Sequence, residues 1–268
     1  VAGPFLSKSP CTSLTSHSQH AVADETFHET PGRRIACVHQ PHYLPWLGLI
    51  DKIDRSDVYV VLDTVQFERR GWQNRNYVAG EGGRQLLTVP VVQTARDERI
   101  LDKQIDNTQK WRMKHHRALL NHSYRSAPYL DEYREDASRL YEQRWDHMAE
   151  LSIATTHLLL EAFGIDTPVV RASRLGEFTG RKSELIAQVC NAVDADTLLS
   201  GDGARGYLDA DLLKQHGVEV EWQDFEHPVY PQRSGGSDGF TSHLAAIDLL
   251  FNAGPASLEL LRSARRPL

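Results

Sequence analysis

Two short apolar runs stand close together early in the patterned part of the chain. Residues 35–38 and 58–62 are continuous, rich in β-branched side chains and bounded by polar residues, which predicts two buried strands over 34–39 and 58–62. Between them Leu47, Leu49, Ile50 and Ile53 supply an apolar helix side, and Pro45 stands where a helix can open. A strand, loop, helix and strand joined so tightly predict a parallel pair.

The pattern then changes. Residues 76–79 and 86–92 flank the GEGG turn at 80–83, which predicts a hairpin, and 100–105 predicts a further strand. From 107 to 163 the spacing is helical, broken at Ala127-Pro128. Thr108 is placed to cap the first helix of this block and Gly164 to close the last. Strands at 168–172, 197–199 and 218–222 then alternate with helices at 182–193 and 209–215, and helices over 241–252 and 256–262 finish the chain. The economical architecture is α/β, a Rossmann-like three-layer sheet with a helical insertion and a small β-hairpin.

Composition adds boundaries. Hydrophobic residues make up 40% and charged residues 25% of the 268, which fits an ordinary globular protein. Residues 1–32 are rich in Ser and Thr and lack apolar periodicity. They also lack the basic start and apolar block of a secretory signal, so they read as a disordered N-terminal extension before a single domain over 33–268. The formal charge of −6 argues against a surface that grips nucleic acid throughout, and no apolar run suggests a membrane span. Cys11 falls in the extension, while Cys37 and Cys190 sit inside apolar patterns. They read as buried thiols of a reduced, cytoplasmic protein.

The segment His39-Gln40-Pro41-His42-Tyr43-Leu44-Pro45-Trp46-Leu47-Gly48 follows the first strand, at the end where open α/β sheets bind ligands. Its H-x-x-H spacing has three uses. With Asp63 it can form a zinc set, it can stabilise charge on a transferring phosphate, or His39 can act alone as acid and base. Asp63 closes the second strand, where it can orient His39, bind a substrate amine or simply end the strand. Arg69, Arg70 and Arg75 lie among Trp72, Gln73 and Asn74, and a second basic segment over 110–117 flanks Trp111. Both could face one anionic ligand, with Asn74, Arg75 and His115 as contacts. Ser200–Tyr207 (SGDGARGY) follows a strand, and backbone N–H groups in such a loop can cradle an anion, although it matches no nucleotide fingerprint. HPVYPQ at 227–232 is a second rigid polar loop, and SGGSDG at 234–239 reads as a mobile flap.

HQPHYLPWLG, SDVYVVLDTVQFERRGWQNRN, LTVPV, WRMKHH, TLLSGDGARGYLD, FEHPVYPQ and AIDLLFNAG together resemble the WbqC-like protein family, over about residues 34–254. The family's motif positions fall on His39, Gln40, Pro41, Tyr43, Pro45, Trp46, Gly48, Asp63, Gln66, Asn74, Arg75, Trp111, His115, Gly201 and Tyr207. His42 departs from the pattern, where Asn is typical, and this weakens a metal site that needs both imidazoles. The resemblance implies a place in gene clusters for O-antigen and related polysaccharides and an amino-acid transferase role, glycine in particular. Arg outnumbers Lys 23 to 7, which points to a GC-rich source genome and extends the expectation to a natural-product cluster.

The leading expectation is therefore a cytoplasmic transferase that moves an acyl or aminoacyl group onto a sugar or natural-product scaffold. Its catalytic residues would be His39, Asp63 and His115. Gln40, Tyr43, Trp46, Gln66, Asn74, Arg75, Trp111, Gly201, Asp202 and Tyr207 would bind substrate. No cofactor fingerprint is present and no metal is expected. A thioester carrier, coenzyme A or phosphopantetheine, suits the basic segments, so a carrier protein is a candidate partner. An aminoacyl-tRNA donor stays open. Two rivals remain: a nucleotidyl-transfer or adenylating enzyme, and a non-catalytic scaffold of a biosynthetic complex.

Overall fold

The computed structural model describes residues 32–94, 97–233 and 239–267. The extension read over 1–32, Cys11 included, lies outside them but for Gly32, as does the flap at 234–239 but for Gly239. Five parallel strands form the central sheet: β1 (Ile35–His39), β2 (Val58–Val61), β5 (Val169–Arg171), β6 (Thr197–Gly201) and β7 (Glu219–Gln223). Their spatial order is β5-β2-β1-β6-β7. The chain thus builds outward from β1 through β2 to β5, returns to β6 beside β1, and builds the other way to β7. This is the Rossmann-like winding. Its reversal between β1 and β6 opens a crevice at the carboxyl ends of these two strands, where side chains and loops can meet a ligand.

Strand alternation explains the layers. Cys37, Tyr59 and Val61 face one core, which includes α1 (Leu47–Asp54), α4 (Met148–Phe163) and α8 (Ile247–Ala253). Ala36, Val58, Val60 and Leu198 face the other, which α6 (Ser183–Asn191) and α7 (Ala210–Gln215) cover. On α1, Leu49, Ile50 and Ile53 are wholly buried, each contributing about 1.5–3 kcal/mol relative to exposure. The acids of α1 face the last helix, α9 (Ser257–Ser263), and the residues after it. Arg265 Nε donates to Asp51 at 2.5 Å and Arg262 Nη2 to Asp54 at 2.7 Å.

The insertion between β2 and β5 holds the hairpin of β3 (Arg75–Gly80) and β4 (Gly83–Thr88), then α2 (Trp111–His116), α3 (Leu130–Glu142) and α4. The hairpin turns through Glu81-Gly82, with Gly82 at φ 78°. β4 stops at Thr88 rather than 92, since Pro90 has no N–H to donate. The strand expected at 100–105 is a 3-10 turn, Ile100–Asp102, and Ile105 makes only an isolated bridge to Val91. Thr108 caps no helix: its hydroxyl donates to Asp106 at 2.6 Å, and α2 begins three residues later. Gly164 does close α4, in the left-handed region at φ 71°. The helix expected from 241 begins only at Ile247, because His243 takes φ 60°. Helix α5 (Ala172–Leu175) is a short turn after β5. Among the described residues, no helix is long and apolar enough to cross a membrane.

Candidate functional site

The loop after β1 is bolted from several sides. Tyr43 N–H donates to the Trp72 carbonyl at 3.3 Å, Leu44 N–H to Thr155 Oγ1 at 3.1 Å, and Ala246 N–H to the Pro45 carbonyl at 2.8 Å. Asn76 Nδ2 donates to the Leu44 carbonyl at 2.6 Å. These bonds hold Leu44 at φ 47°, an unfavourable conformation for a branched residue. The Trp46 indole folds back over the first turn of α1. A Cβ at Gly48 would collide with it, which explains a glycine inside a helix. Such a rigid loop aims its side chains accurately.

His39 ends β1. Its Nδ1 lies 2.8 Å from the Gln40 carbonyl, which can only accept, so Nδ1 carries the proton and Nε2 presents a lone pair. The His42 ring stands edge-on to it, with centroids 4.6 Å apart and planes at 82°. His42 is buried, and its Nδ1 has no hydrogen-bond partner. Burial, then the charge of Lys52, pushes His42 down to about 3. Burial, Lys52 and His42 also hold His39 well below the ordinary imidazole range. Both imidazoles are therefore neutral near pH 7. Lys52, on α1, is buried, and its Nζ has no hydrogen-bond or ion-pair partner among the described residues. Its electrostatic contacts are with His39, His42 and Cys37, the residues along one face of β1 and its loop.

Asp63 does not orient His39. Its fully buried carboxylate accepts from Arg171 Nε at 2.8 Å, Ser173 Oγ at 2.7 Å and Ser173 N–H at 3.0 Å. Those bonds clamp the ends of β2 and β5 together, and Arg171 also reaches Glu150 at 2.5 Å. The orienting role falls to the Gln40 carbonyl. Asp63 is equally unsuited to a metal set with the imidazoles. Among the described residues no three His, Cys, Asp or Glu side chains converge as metal ligands.

Tyr43, Trp111 and His115 come together, but inside the protein. Tyr43 Oη is 2.9 Å from His115 Nδ1 and 2.8 Å from Tyr141 Oη, and the Trp111 ring packs on His115 and Tyr141. All four side chains are buried. Burial takes His115 down to about 4, partly offset by a hydrogen bond to the Thr88 carbonyl. This cluster welds the β1 loop to the hairpin and α2. Its contribution to the site is rigidity, in place of the catalytic contact expected of His115 and the substrate contact expected of Tyr43 and Trp111.

The remaining positions scatter. Asn74 is buried, and its Nδ2 donates to the Val89 carbonyl at 2.8 Å. Arg75 donates to the Arg70 carbonyl and lies over the Trp72 ring. Gln40 stays at the site, its Oε1 accepting from Gln73 Nε2 at 2.6 Å. Trp46 is half-buried beside Phe225 and His243, and Gln66 is exposed in a bridge to Arg99. Gly201 and Asp202 lie across the crevice, at the end of β6. Asp202 pairs with Arg205 at 2.8 Å, and Tyr207 is 71% exposed. Part of the second basic segment opens on a hollow that the first does not line. Lys110, Arg112 and His116 line a hollow of about 450 Å³ with Tyr141 and Glu142, and none of its lining residues comes from 69–75. Arg112 there is already bonded to the carbonyls of Tyr141, Glu142 and Gln143.

One contributor escapes sequence reasoning. Lys52 carries one signal: a charge within a helix wedged between two buried strands, whose residues Leu47–Ile53 are all buried. His227 opens the HPVYPQ loop that the sequence marks as rigid and polar. Its ring contacts Phe225, Tyr230, Phe240 and His243 through pairings that span the loop after β7.

The WbqC-like protein family model matches residues 40–260. The chain is 30% identical to the uncharacterized protein Rv1507c of Mycobacterium tuberculosis over 237 residues, covering 87% of this chain and 100% of that protein. No solved structure matches. The block from the β1 loop through the insertion to the loop after β6 is thus a shared inheritance: the chain belongs to the WbqC-like protein family.

Proposed function

We propose that this protein is a cytoplasmic transferase that moves an acyl or aminoacyl group from a carrier to an amine or hydroxyl of a sugar or natural-product scaffold. One observation carries the reading: a neutral imidazole, His39, stands at the winding reversal with its Nδ1 fixed and its Nε2 lone pair uncommitted. In this mechanism His39 Nε2 takes the proton of the acceptor as its oxygen or nitrogen attacks the donor carbonyl. The nearby Lys52 ammonium offsets negative charge that develops on the carbonyl oxygen. The carrier thiolate then leaves and recovers a proton from the imidazolium, which returns His39 to its starting state. The donor is a thioester of coenzyme A or of a phosphopantetheine-bearing carrier protein, with aminoacyl-tRNA as the alternative donor.

A second reading, nucleotidyl transfer or adenylation, draws on the H-x-x-H pair after the central strand of this sheet order. A thermal-shift comparison separates the two. A ligand at 100 times its dissociation constant adds about 2.7 kcal/mol. Stabilisation by coenzyme A or acyl thioesters supports acyl transfer. Stabilisation by ATP or CTP with Mg²⁺ alone replaces it with the nucleotide reading. A His39→Ala protein with full transfer activity overturns both, and a stable protein complex unaffected by that change supports a scaffold.

A further inference from the structure

We propose that Gln73 is a positioning residue: acting through Gln40, it fixes which nitrogen of the His39 ring carries the proton and which offers a lone pair. Its side chain is 1% exposed, and its one hydrogen bond among the described residues runs from Nε2 to Gln40 Oε1 at 2.6 Å. Gln40 in turn supplies the carbonyl that accepts from His39 Nδ1 at 2.8 Å, the single hydrogen bond of that ring among the described residues. Two rotations set the direction of this carbonyl. Rotation about the Cα–C bond of Gln40 is limited by Pro41, which keeps the residue before it extended. Rotation about the N–Cα bond carries the carbonyl and the side chain together, so a side chain pinned at its amide by Gln73 stops that one as well. The preceding residue is already fixed, because His39 pairs with Val61 and its carbonyl accepts from Leu62 N–H at 2.9 Å. Gln73 is anchored in its own right: its carbonyl accepts from Ser152 Oγ of α4 at 2.9 Å.

A second, independent observation marks this amide as more than packing. Gln73 Oε1 is buried without a partner. Such an acceptor lowers stability, and an apolar side chain of the same shape would carry no such cost. Gly71 adds a third. A Cβ there would collide with the Gln73 amide, so the glycine clears the space in which the amide lies. Its φ is not positive, and room rather than backbone freedom is what it supplies. The role rests on the proposed function only for the use made of the His39 Nε2 lone pair.

The test reads the ring without any substrate. The full chain with ¹⁵N-labelled histidine is measured at neutral pH, where His39 should show one N–H and one bare ring nitrogen. In Gln73→Met these two signals should converge, as the tautomer ratio falls about fivefold with the carbonyl released. The melting temperature should stay within about 4 °C of the unaltered chain, because the orphaned acceptor leaves with the amide. Gly71→Ala displaces the same amide while keeping Gln73, and should give the same ring signature. Unmoved His39 signals in a folded Gln73→Met overturn the role, and a large fall in melting temperature with the ring unmoved makes Gln73 a packing residue alone. If Gln73→Met does not fold, the His39 signals of Gly71→Ala decide. A ring that loosens as expected, in a chain stabilised only by nucleoside triphosphates, keeps the positioning role and overturns acyl transfer instead.

Discussion

The Tyr43 hydroxyl and His115 Nδ1 meet at 2.9 Å, a sequence separation of 72 residues, and Tyr141 completes the chain at 2.8 Å. With His115 Nε2–H given to the Thr88 carbonyl, Nδ1 must accept and Tyr43 must donate. Tyr43→Phe leaves His115 Nδ1 and the Tyr141 hydroxyl short of a partner in a buried place. The expected cost is about 1–3 kcal/mol in chemical denaturation. Substrate affinity, measured on the folded fraction, should change little.

Asp63 is an anchor, and its replacement should read as one. Asp63→Asn weakens the clamp on Arg171 and Ser173. Because Arg171 retains Glu150 and some solvent, the loss should be nearer about 3 than 5 kcal/mol, the lower end for a broken buried pair. Equal loss of stability and activity is the expected pattern. A fully stable variant with abolished transfer would restore Asp63 to the chemistry.

Acid should destabilise the protein through its buried imidazoles. His115 titrates at about 4 and His42 at about 3 in the folded state, against 6.5 for a free imidazole. Below pH 6.5 the unfolded chain therefore binds protons that the folded chain refuses. Stability is fully present above that pH and declines as pH falls toward 4 and then 3, by about 1.4 kcal/mol per unit for each group. Melting temperature against pH in His42→Asn should show a shallower acid limb than the unaltered protein. An identical limb would remove His42 from this account.

Lys182 precedes α6 at φ 52° and is exposed, so its side chain gains little there and bears a backbone cost. Lys182→Gly should raise stability by about 1 kcal/mol, read as a higher melting temperature.

The winding was legible from residues because buried strands and helices differ in period. The runs at 35–38 and 58–62, and Gly164 as a stop, carry that information locally. Residues 100–105 and 241–246 were not legible, since tertiary contacts override their apolar spacing. Ile105 is held by the Asp146 carbonyl and Ala245 by that of Tyr77. The site divides the same way. His39 and Gln40 sit at a strand end that topology marks, so position reveals them. Tyr43, Trp111 and His115 look like ligand contacts in one dimension and are packing in three. Lys52 was hidden because a lysine on a short helix is ordinarily solvated, whereas the packing around α1 leaves this one 5% exposed.

The central position of β1 also sets an order of assembly. β1 can pair with β2 after one short helix, but its other edge waits for β6, and Asp51 waits for Arg265, 214 residues away. Loop closure over such spans is slow. During synthesis the His39 loop would emerge early and stand half-built until α9 docks on α1. In pulse-labelled refolding, amide protection between β1 and β6 should accordingly trail that between β1 and β2, so the crevice is among the last parts of the molecule to acquire its shape.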